Sequence, residues 1–385
     1  MKGNFQIILM VVFVALAILG ILVFSGMIPI GTNNDPGSLG TVTIWGTDRD
    51  SLINPLLDQV NTANPTFVLK YVQKSPDTFD QDLIEALADG SGPDMLILPD
   101  SLAFKYSKKL YTLPFASYPL SAFKSNFATA GEVFLNQTGS LALPISIDPL
   151  VMYYNRSMLD ANGIVNPPAS WEDLGSMIPV LTKKDANNKI TKSTIALGNF
   201  SNVDHAKDIL ATLFMQTGNN IVDKSISPYR PTLANIDTRL DVSPVLRFFV
   251  DFADPNKGVY SWNRSFSSSR NAFSSEDLAF YFGFGSELPY FVSVNPNQNF
   301  SIATFPQIKD SSIKVTGAHV NGLAVLISSK NINTAVTALG IMANGDFAEK
   351  YAEATGVAPA RRDLLSKKPI DNAFIPTIYL SLIHI

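Results

Sequence analysis

A single carboxylate interrupts an apolar, strand-like stretch near the middle of the chain. Residues 141–154 read "LALPISIDPLVMYY", in which Asp148 separates two runs typical of a buried strand. Burying a carboxylate in such a run costs free energy unless the charge is paired or used. Asp148 is therefore a candidate ligand contact. The alternative is an acid that pairs with a base or caps a nearby turn.

Polar residues also follow two predicted strands earlier in the chain. Asp48 and Arg49 come after "TVTIWG", and Asp100 and Ser101 come after "DMLILP". In open α/β sheets, ligands bind beyond the carboxyl ends of the parallel strands, and loops on a rigid scaffold carry binding residues. These four residues are expected at the mouth of a binding site, although simple solvation also explains charged loop residues.

Two tryptophans are candidate platforms for a sugar. A pyranose ring has an apolar face, which packs on an aromatic ring, and hydroxyl groups, which need side-chain donors and acceptors. Trp45 lies at the end of the first predicted strand, and Trp262 lies in the polar stretch "YSWNRSF". Each is predicted to be a platform, with core packing as the alternative.

A further group of candidates lies towards the C-terminus. The apolar run "LAFYFGFG" ends in a glycine-rich turn that offers backbone amides and a carboxylate. The residues of this turn are Phe284, Gly285, Ser286 and Glu287. Asn321 is a candidate hydroxyl partner just before another predicted strand. His319 is predicted to be a turn residue rather than a ligand.

The sequence does not favour catalysis. Asp148 and Glu287 are both acidic, as a glycosidase pair is, but nothing in their spacing supports that pairing. The motifs of a serine hydrolase, a zinc protease and a phosphate-binding loop are absent from the sequence. The chain has no cysteine and 3 histidines, none of them spaced as a metal pair. We expect no cofactor and no metal site, and the chain is predicted not to be an enzyme.

The composition is that of a globular protein with two domains. The chain has 385 residues, of which 46% are hydrophobic and 16% are charged, and this balance excludes a largely disordered chain. The formal net charge is −4 and no basic stripe is present, so nucleic acid is not an expected partner.

The secondary-structure patterns predict two α/β units. Alternating strand and helix patterns over residues 41–99 predict a mainly parallel sheet with helices on both faces. The same style of pattern restarts at about Tyr153 and continues to the helix pair in residues 333–356. Two α/β units joined by more than one crossing are the simplest arrangement.

The N-terminus carries an apolar run that predicts a membrane anchor. Residues 7–24 form an uninterrupted apolar run. A run of this length is about long enough to span a bilayer as a helix. A poor cleavage site favours an uncleaved helix in residues 1–30 over a cleaved secretory signal; a buried core helix is a further alternative. The positive-inside tendency of Lys2 places the N-terminus in the cytoplasm. Residues 31–40 are a predicted flexible tether to a domain on the extracytoplasmic face.

Four stretches, in order, resemble the extracellular solute-binding proteins of ABC importers, the sugar-binding family that includes maltose-binding protein. In chain order they are "GPDMLILPDSLAFKYSKKLYTLP", the region that begins "LPISIDPLVMYYNRSML", "NAFSSEDLAFYFGFGSEL" and the late segment from "TGAHVNGLAVLIS" to "GVAPARRDLL". Each motif alone is a weak signal, whereas four in chain order are a strong one, and the resemblance covers about residues 41–365. The resemblance is the strongest statement about function that the sequence makes.

The resemblance implies an α/β, two-lobed periplasmic-binding-protein fold, type II-like, whose lobes are joined by crossing strands. The lobes are expected to close on a ligand by a hinge motion. Lobe 1 is expected to hold residues 41–147 and about 280–318, and lobe 2 residues 148–279 and about 319–379. The first crossing is expected around the central carboxylate and the second in "EDLAFYFGFG".

The resemblance also implies a function. Asp148 matches an acidic position that faces the ligand in sugar-binding members, whereas Trp171 matches a tryptophan that packs structurally. The chain is expected to capture a sugar or oligosaccharide and to deliver it to ABC permease subunits, as a membrane-tethered monomer. The alternatives are a ligand-sensing module for a signalling partner and an importer protein for a non-sugar solute such as a glycerol phosphate.

Both ends of the chain depart from the family pattern. Family members usually carry a lipid on a cysteine after the signal peptide, and this chain has no cysteine, which favours the helical anchor. The family also continues with further helices where this chain ends in "LSLIHI", residues 380–385. A sequencing-adapter end would encode that hexapeptide, so we expect a non-native tail after a truncated lobe 2. A genuine apolar tail is the alternative.

Overall fold

The computed structural model of the chain describes residues 39–219, 221–223, 230–232 and 242–366. The predicted anchor in residues 1–30, most of the predicted tether and the C-terminal residues 367–385, which include the predicted tail, lie outside these ranges. Within the described ranges, no helix combines the length and the apolar character needed to cross a bilayer.

The first part of the chain alternates strands and helices. Its elements are β1 (Thr41–Gly46), α1 (Asp50–Ala63), β2 (Val68–Gln73), α2 (Phe79–Asp89), β3 (Met95–Pro99) and α3 (Asp100–Tyr106). β1 lies between β2 and β3, and both pairings are parallel. α1 buries Ile53, Leu56, Leu57 and Val60, which recur at the three- and four-residue spacing of one helix face. The predicted parallel sheet is confirmed here.

Short elements connect this sheet to the next long strand. They are β4 (Leu113–Pro114), α4 (Leu120–Asn126), a 3₁₀ helix (Thr129–Phe134) and β5 (Gly139–Ser140). β4 and β5 pair antiparallel. The 3₁₀ helix packs against the long strand that follows in the chain and against the strand that pairs antiparallel with β3, and it buries Phe134 completely.

One long strand, β6 (Leu143–Asn155), takes part in two sets of pairings. Up to Pro149 it pairs antiparallel with β13 (Ala318–Val325), which also pairs antiparallel with β3. From Leu150 onward it pairs antiparallel with β11 (Leu278–Phe284) and with β12 (Phe300–Thr304). β6 therefore passes from the first group of strands to a second group, as the sequence predicts for this run.

The second part of the chain forms the other group of strands and helices. Its elements are α5 (Arg156–Asp160), α6 (Trp171–Leu181), β7 (Lys183–Lys184), β8 (Ile190–Ile195), α7 (Ala206–Gln216), β9 (Val222–Asp223), β10 (Arg230–Pro231), α8 (Ser243–Asp251), α9 (Ser269–Ser274), β11, a 3₁₀ helix (Gly285–Glu287), α10 (Leu288–Val294) and β12. β8 pairs in parallel with β11 and antiparallel with β7. Buried aromatic rings from β6 and β11 pack against rings from the neighbouring helices. The cluster consists of Tyr153, Phe273, Tyr281 and Phe291.

The last part of the described chain returns to the first sheet. After β13 come α11 (Ile332–Met342), α12 (Gly345–Thr355), β14 (Ala358–Pro359) and α13 (Arg362–Leu365). α12 packs against α1, and β14 pairs with the first part of β6. We call the part built on β1, β2, β3 and β13 lobe 1, and the part built on β8, β11 and β12 lobe 2.

The strand pairing corrects the expected membership of two segments. Residues from about 280 were expected in lobe 1, but β11 and β12 pair with the second part of β6. Residues from about 319 were expected in lobe 2, but β13 lies between β3 and the first part of β6. The second crossing is therefore the chain that enters β13, and "EDLAFYFGFG" stays in lobe 2. An apolar run predicts a buried strand, but it does not predict which strands pair with it. This is why each of the two segments was expected in the opposite lobe.

Candidate functional site

The carboxyl ends of parallel strands from both lobes meet where β6 passes between them. β3 of lobe 1 ends at Pro99 and is followed by Asp100, and β11 of lobe 2 ends at Phe284. Asp148 in β6 lies opposite His319 in β13. Ligands of open α/β sheets bind beyond such strand ends, so this meeting point is the candidate site.

His319 lies at the centre of the meeting point. Its ring is 4.4 Å, centroid to centroid, from the ring of Phe284. Its Nδ1 is 3.4 Å from Oδ1 of Asp100 in lobe 1, and its Nε2 is 3.9 Å from Oδ1 of Asp208 in lobe 2. We call Asp100, Asp148, Asp208, Phe284 and His319 the junction. His319 was predicted to be a turn residue, and this was wrong because it belongs to β13.

Two junction residues have altered proton affinities. The contact with the Asp100 carboxylate is the main cause that raises the pKa of His319, against the opposing effect of burial. Burial raises the pKa of Asp148 to about 6, although the hydrogen bond from Ser286 and the charge of His319 act in the opposite direction. The backbone N–H of Ser286 donates to Oδ1 of Asp148 at 2.9 Å. Asp148 therefore binds the turn after β11, which is the turn-capping role left open as an alternative, and its ligand role stays a prediction.

Glu287 is buried and engaged by four neighbours. The backbone N–H of Phe284 donates to its Oε1 at 2.8 Å and the hydroxyl of Tyr281 donates to its Oε2 at 2.8 Å. Nε2 of His205 lies 2.8 Å from Oε1. Nε of Arg270 lies 3.2 Å from Oε2, as an ion pair without hydrogen-bond alignment. These contacts make Glu287 a support for the turn at Phe284 in this conformation.

Asp48 is held in place at the mouth of lobe 1. The hydroxyl of Tyr351 donates to its Oδ2 at 2.6 Å, and the hydroxyl of Tyr71 donates to its backbone carbonyl at 2.9 Å. Burial raises the pKa of Asp48, and the hydrogen bond from Tyr351 opposes that shift. The carboxylate thus fixes the loop after β1, while the neighbouring Arg49 is exposed.

The predicted tryptophan platforms are part of the packed interior. Trp262 has 0% of its surface exposed, stacks on Phe266 at 4.4 Å between centroids, and donates from Nε1 to Oδ1 of Asn202 at 3.0 Å. The prediction that Trp262 is a sugar platform was wrong, because a ring without exposed surface cannot pack against a sugar. Trp45 is only 9% exposed, and Nζ of Lys74 lies 3.9 Å from its ring centroid. That contact takes up ring surface that a sugar would need.

Trp171 packs structurally, as expected. It is buried, and its Nε1 donates to Oε1 of Gln216 at 2.8 Å. The rings of Phe248, Phe282 and Phe305 meet it edge-on.

The other predicted residues lie close to the junction. Oδ1 of Asp100 accepts from the backbone N–H of Ser101 at 2.8 Å, and both Ser101 and Ser286 are exposed. Asn321 is partly exposed in β13, opposite Pro99, at the point where the pairing with β6 changes register. Across the described part of the chain, no cluster of histidine and acidic residues could hold a metal ion.

Two exposed aromatic residues escaped the sequence reasoning. Among the described residues, the phenylalanines with mostly exposed surfaces are Phe104 at 63% and Phe200 at 65%. Phe104 lies in α3, which follows the carboxyl end of β3, and Phe200 lies in the loop 198–205, which follows β8. A phenylalanine flanked by polar residues, as in "GNFSNVDH", was the available signal.

Side chains that follow Phe200 anchor its loop. Nδ2 of Asn202 donates to the carbonyl of Phe266 at 3.1 Å. Oδ2 of Asp204 accepts from the hydroxyl of Ser269 at 2.9 Å and from the backbone N–H of Arg270 at 2.8 Å. The ring of His205, at the end of the loop, lies 4.9 Å from the ring of Phe284. An anchored loop therefore presents an exposed phenylalanine on the junction side of lobe 2.

Comparison with solved structures shows the same fold. A cyclo/maltodextrin-binding protein with maltotetraose is 13% identical, covers 91% of this chain and 86% of its own, and has a TM-score of 0.72. The GacH receptor of Streptomyces glaucescens, whose structures include a complex with acarbose, is 17% identical, with coverages of 90% and 86% and a TM-score of 0.69. A solute-binding protein of Thermotoga lettingae with α-D-tagatose is 18% identical, with coverages of 90% and 88% and a TM-score of 0.67.

Comparison with curated sequences finds more limited matches. Binding proteins of Brucella abortus and Brucella suis are 26% identical over 143 residues, which are 35% of this chain and 34% of theirs. The match thus spans about a third of the length of these relatives. The family described as bacterial extracellular solute-binding protein matches residues 56–376. That match covers most of the chain, and the chain belongs to the family of bacterial extracellular solute-binding proteins.

Proposed function

We propose that the chain is the extracytoplasmic binding protein of an ABC importer and captures a sugar or oligosaccharide between its lobes. The observation that carries this proposal is the meeting of strand carboxyl ends from both lobes at the junction, with an exposed phenylalanine beyond a strand end of each lobe. The family consists of binding proteins, so the proposed role is capture and delivery rather than catalysis.

The exposed groups around the junction suit a sugar. Phe104 and Phe200 offer aromatic faces for the apolar side of a pyranose, in place of the two buried tryptophans. Asp100, Asp148 and Asn321 offer carboxylate and amide groups to hydroxyls. The solved structures of similar fold with tagatose, maltotetraose and acarbose as ligands support a carbohydrate over other solutes.

Closure of the two lobes would supply the affinity and the signal for delivery. A ligand that touches both lobes only when they are closed stabilises the closed state by its differential affinity for that state. The closed form then docks on permease subunits, which are the expected partners. The binding domain lies on the extracytoplasmic face of the membrane and acts as a monomer, and residues 7–24 serve as its anchor with the N-terminus in the cytoplasm.

A thermal-shift screen of the purified full chain in detergent tests the proposal. The panel holds oligosaccharides, monosaccharides, glycerol phosphates, polyamines and amino acids. A ligand that binds only the folded state raises the melting temperature. A rise with one class of sugar is the expected result. A rise with a glycerol phosphate alone would replace the sugar, and a folded protein with no response to any member would turn the proposal towards sensing of another partner.

Phe200→Ala then tests the binding geometry. We expect the sugar dissociation constant, measured by titration calorimetry, to rise about fivefold, because the loss of an aromatic contact is worth about 1 kcal/mol. The melting temperature of the unliganded protein should stay close to that of the wild type, since the side chain is exposed. The matched control is Val165→Ala, which removes an 87% exposed apolar side chain from the chain beyond the far end of β6. An equal effect of both changes on affinity would exclude Phe200 as a sugar contact.

A further inference from the structure

One imidazole touches charged groups from both lobes. Nδ1 of His319 faces Asp100 of lobe 1 at 3.4 Å, and Nε2 faces Asp208 of lobe 2 at 3.9 Å. Asp100 is the first residue of α3, Asp208 lies in the first turn of α7, and His319 lies where the chain crosses back into lobe 1. We propose that His319 is a proton-dependent link between the lobes, which holds them in the arrangement of this structure when protonated and releases them when neutral.

The chemistry of imidazole makes the link depend on a proton. Both ring nitrogens donate in the imidazolium form, whereas the neutral ring has one donor and one acceptor. Ionised carboxylates only accept, so a neutral His319 can satisfy Asp100 or Asp208 but not both. The nitrogen without a proton would then face a carboxylate lone pair, which is repulsive. Only the protonated ring attracts both lobes at once.

The other groups around the ring favour the same form. Asp148 of β6 lies directly opposite His319, and Phe284 at the end of β11 packs against the ring. The charges that face the ring from α3, α7 and β6 are therefore all acidic. Glu287, the acid of the turn after β11, is occupied by His205, Tyr281 and Arg270. The charged groups around the ring thus favour the protonated form, against the opposing effect of burial.

The direction of the pH effect follows from this surrounding. The neighbouring carboxylate of Asp100 raises the pKa of His319 above its usual value of 6.5. A group whose pKa is raised contributes its full stabilisation at low pH and loses it as the pH rises through that pKa. The link is therefore complete only well below pH 6.5, weakens as the pH rises through the raised pKa of His319, and is weaker at about pH 9 than at about pH 6.5. Both conditions lie above the pKa of Asp148, which is about 6, so its carboxylate is mostly ionised at both, and the His319→Gln variant isolates the contribution of His319.

A distance measurement between the lobes tests the proposal without any ligand. The full chain has no cysteine, so Gln59→Cys in α1 and Val180→Cys in α6 place one spin label on each lobe at exposed positions. We expect double electron–electron resonance to show a longer and broader distance distribution at about pH 9 than at about pH 6.5. His319→Gln, which keeps a polar side chain but cannot carry the charge, should give the high-pH distribution at both values.

Two further variants separate a link from a general pH effect. His205→Gln changes the other described histidine, which pairs with Glu287 inside lobe 2, and the pH-dependent shift should remain. Asp208→Asn removes only the lobe 2 partner, and the shift should be lost. Circular dichroism and melting temperature at both pH values establish that each variant is folded.

The proposal is overturned by three results. They are an unchanged distribution in the labelled wild type, an undiminished pH shift in His319→Gln, and an undiminished shift in Asp208→Asn, which would confine the effect to lobe 1. Because no sugar is present, the outcome does not depend on the proposed ligand. A failed sugar screen would leave the distance result standing, and the reverse also holds.

Discussion

The two lobes hold their mouth loops by different means. In lobe 1 one residue of the loop, Asp48, accepts hydrogen bonds from two hydroxyl groups in distant parts of the lobe. They are the hydroxyls of Tyr351 and Tyr71. In lobe 2 the loop 198–205 reaches outward with several side chains of its own, among them Asn202, Asp204 and His205.

Residue type therefore does not decide which residue at the mouth of a lobe is exposed to solvent. In both lobes a residue predicted to bind ligand serves as support, Asp48 in one and Trp262 in the other. The exposed aromatic side chains are instead Phe104 in lobe 1 and Phe200 in lobe 2. The following predictions test this comparison between the two mouths.

The largest expected effect is at the buried tryptophan of lobe 2. Trp262→Ala removes a fully buried ring and the donor to Asn202, so the free energy of unfolding should fall by about 3–5 kcal/mol in a urea titration. Trp262→Phe, which keeps a ring against Phe266 but loses the donor, should cost about 1–3 kcal/mol. A stability near that of the wild type for Trp262→Ala, combined with weaker sugar binding, would restore the platform role.

The next effect concerns the acid between the lobes and depends on pH. Burial raises the pKa of Asp148 from 3.8 to about 6, so its stabilising contribution is complete below its unfolded pKa and is lost as the pH rises through about 6. Asp148→Asn keeps an oxygen for Ser286 but cannot ionise. Relative to the wild type, the variant should therefore gain stability between about pH 4 and pH 7. The gain is at most about 3 kcal/mol, and less because the residue is partly exposed.

The prediction is contradicted if the free energy of unfolding depends on pH in the same way in the wild type and in Asp148→Asn. The measurement is the free energy of unfolding in urea at a series of pH values for both proteins. A constant difference between them would mean that Asp148 titrates alike in the folded and unfolded chains.

A moderate effect is expected at the support of lobe 1. Tyr351→Phe leaves the partly buried carboxylate of Asp48 without its hydroxyl donor, which should cost about 1–3 kcal/mol at neutral pH. Tyr71→Phe removes a donor to a neutral carbonyl and should cost about 1 kcal/mol. Thermal or urea unfolding of the two variants gives the comparison, and a larger loss for Tyr71→Phe would show that the carbonyl contact, not the carboxylate, holds the loop.

The smallest effect is expected at the cation above Trp45. Lys74→Met keeps the aliphatic stem over the ring and removes the charge, including its 3.2 Å ion pair with Asp82. The loss should be about 0.5–1 kcal/mol, typical of an exposed cation–π contact. Urea unfolding measures it. If the variant instead bound sugar more tightly, the ring of Trp45 would be a platform that Lys74 covers.

Local patterns predicted the elements well and their neighbours less well. The helix face of α1 and the parallel order of β1, β2 and β3 follow from spacing and from strand–helix alternation, both of which are properties of nearby residues. The positions of β11 and β13 do not, because strand pairing is a contact between distant residues and every buried strand is equally apolar. This is why the two segments were assigned to the wrong lobes.

The same reason limits what could be said of the site. Strand ends are recognisable from nearby residues, so Asp100 and the turn at Ser286 could be predicted to follow strands. Exposure is not local: Trp262 looks like a residue of a polar loop until Phe266 and Asn202 are seen to enclose it. His319 gave no signal, since three of its neighbours come from α3, α7 and β6.

The continuity of β6 has a mechanical consequence. Its pairing with β13 ends at Pro149, a residue that has no backbone N–H to donate, and its pairing with β11 begins at the next residue. A rotation of one lobe against the other at this peptide would break few hydrogen bonds between strands. The backbone of β6 can therefore twist at this point, beside Asp148. A ligand held by that carboxylate would lie on the axis of rotation, where it moves least while the rims of both lobes travel furthest.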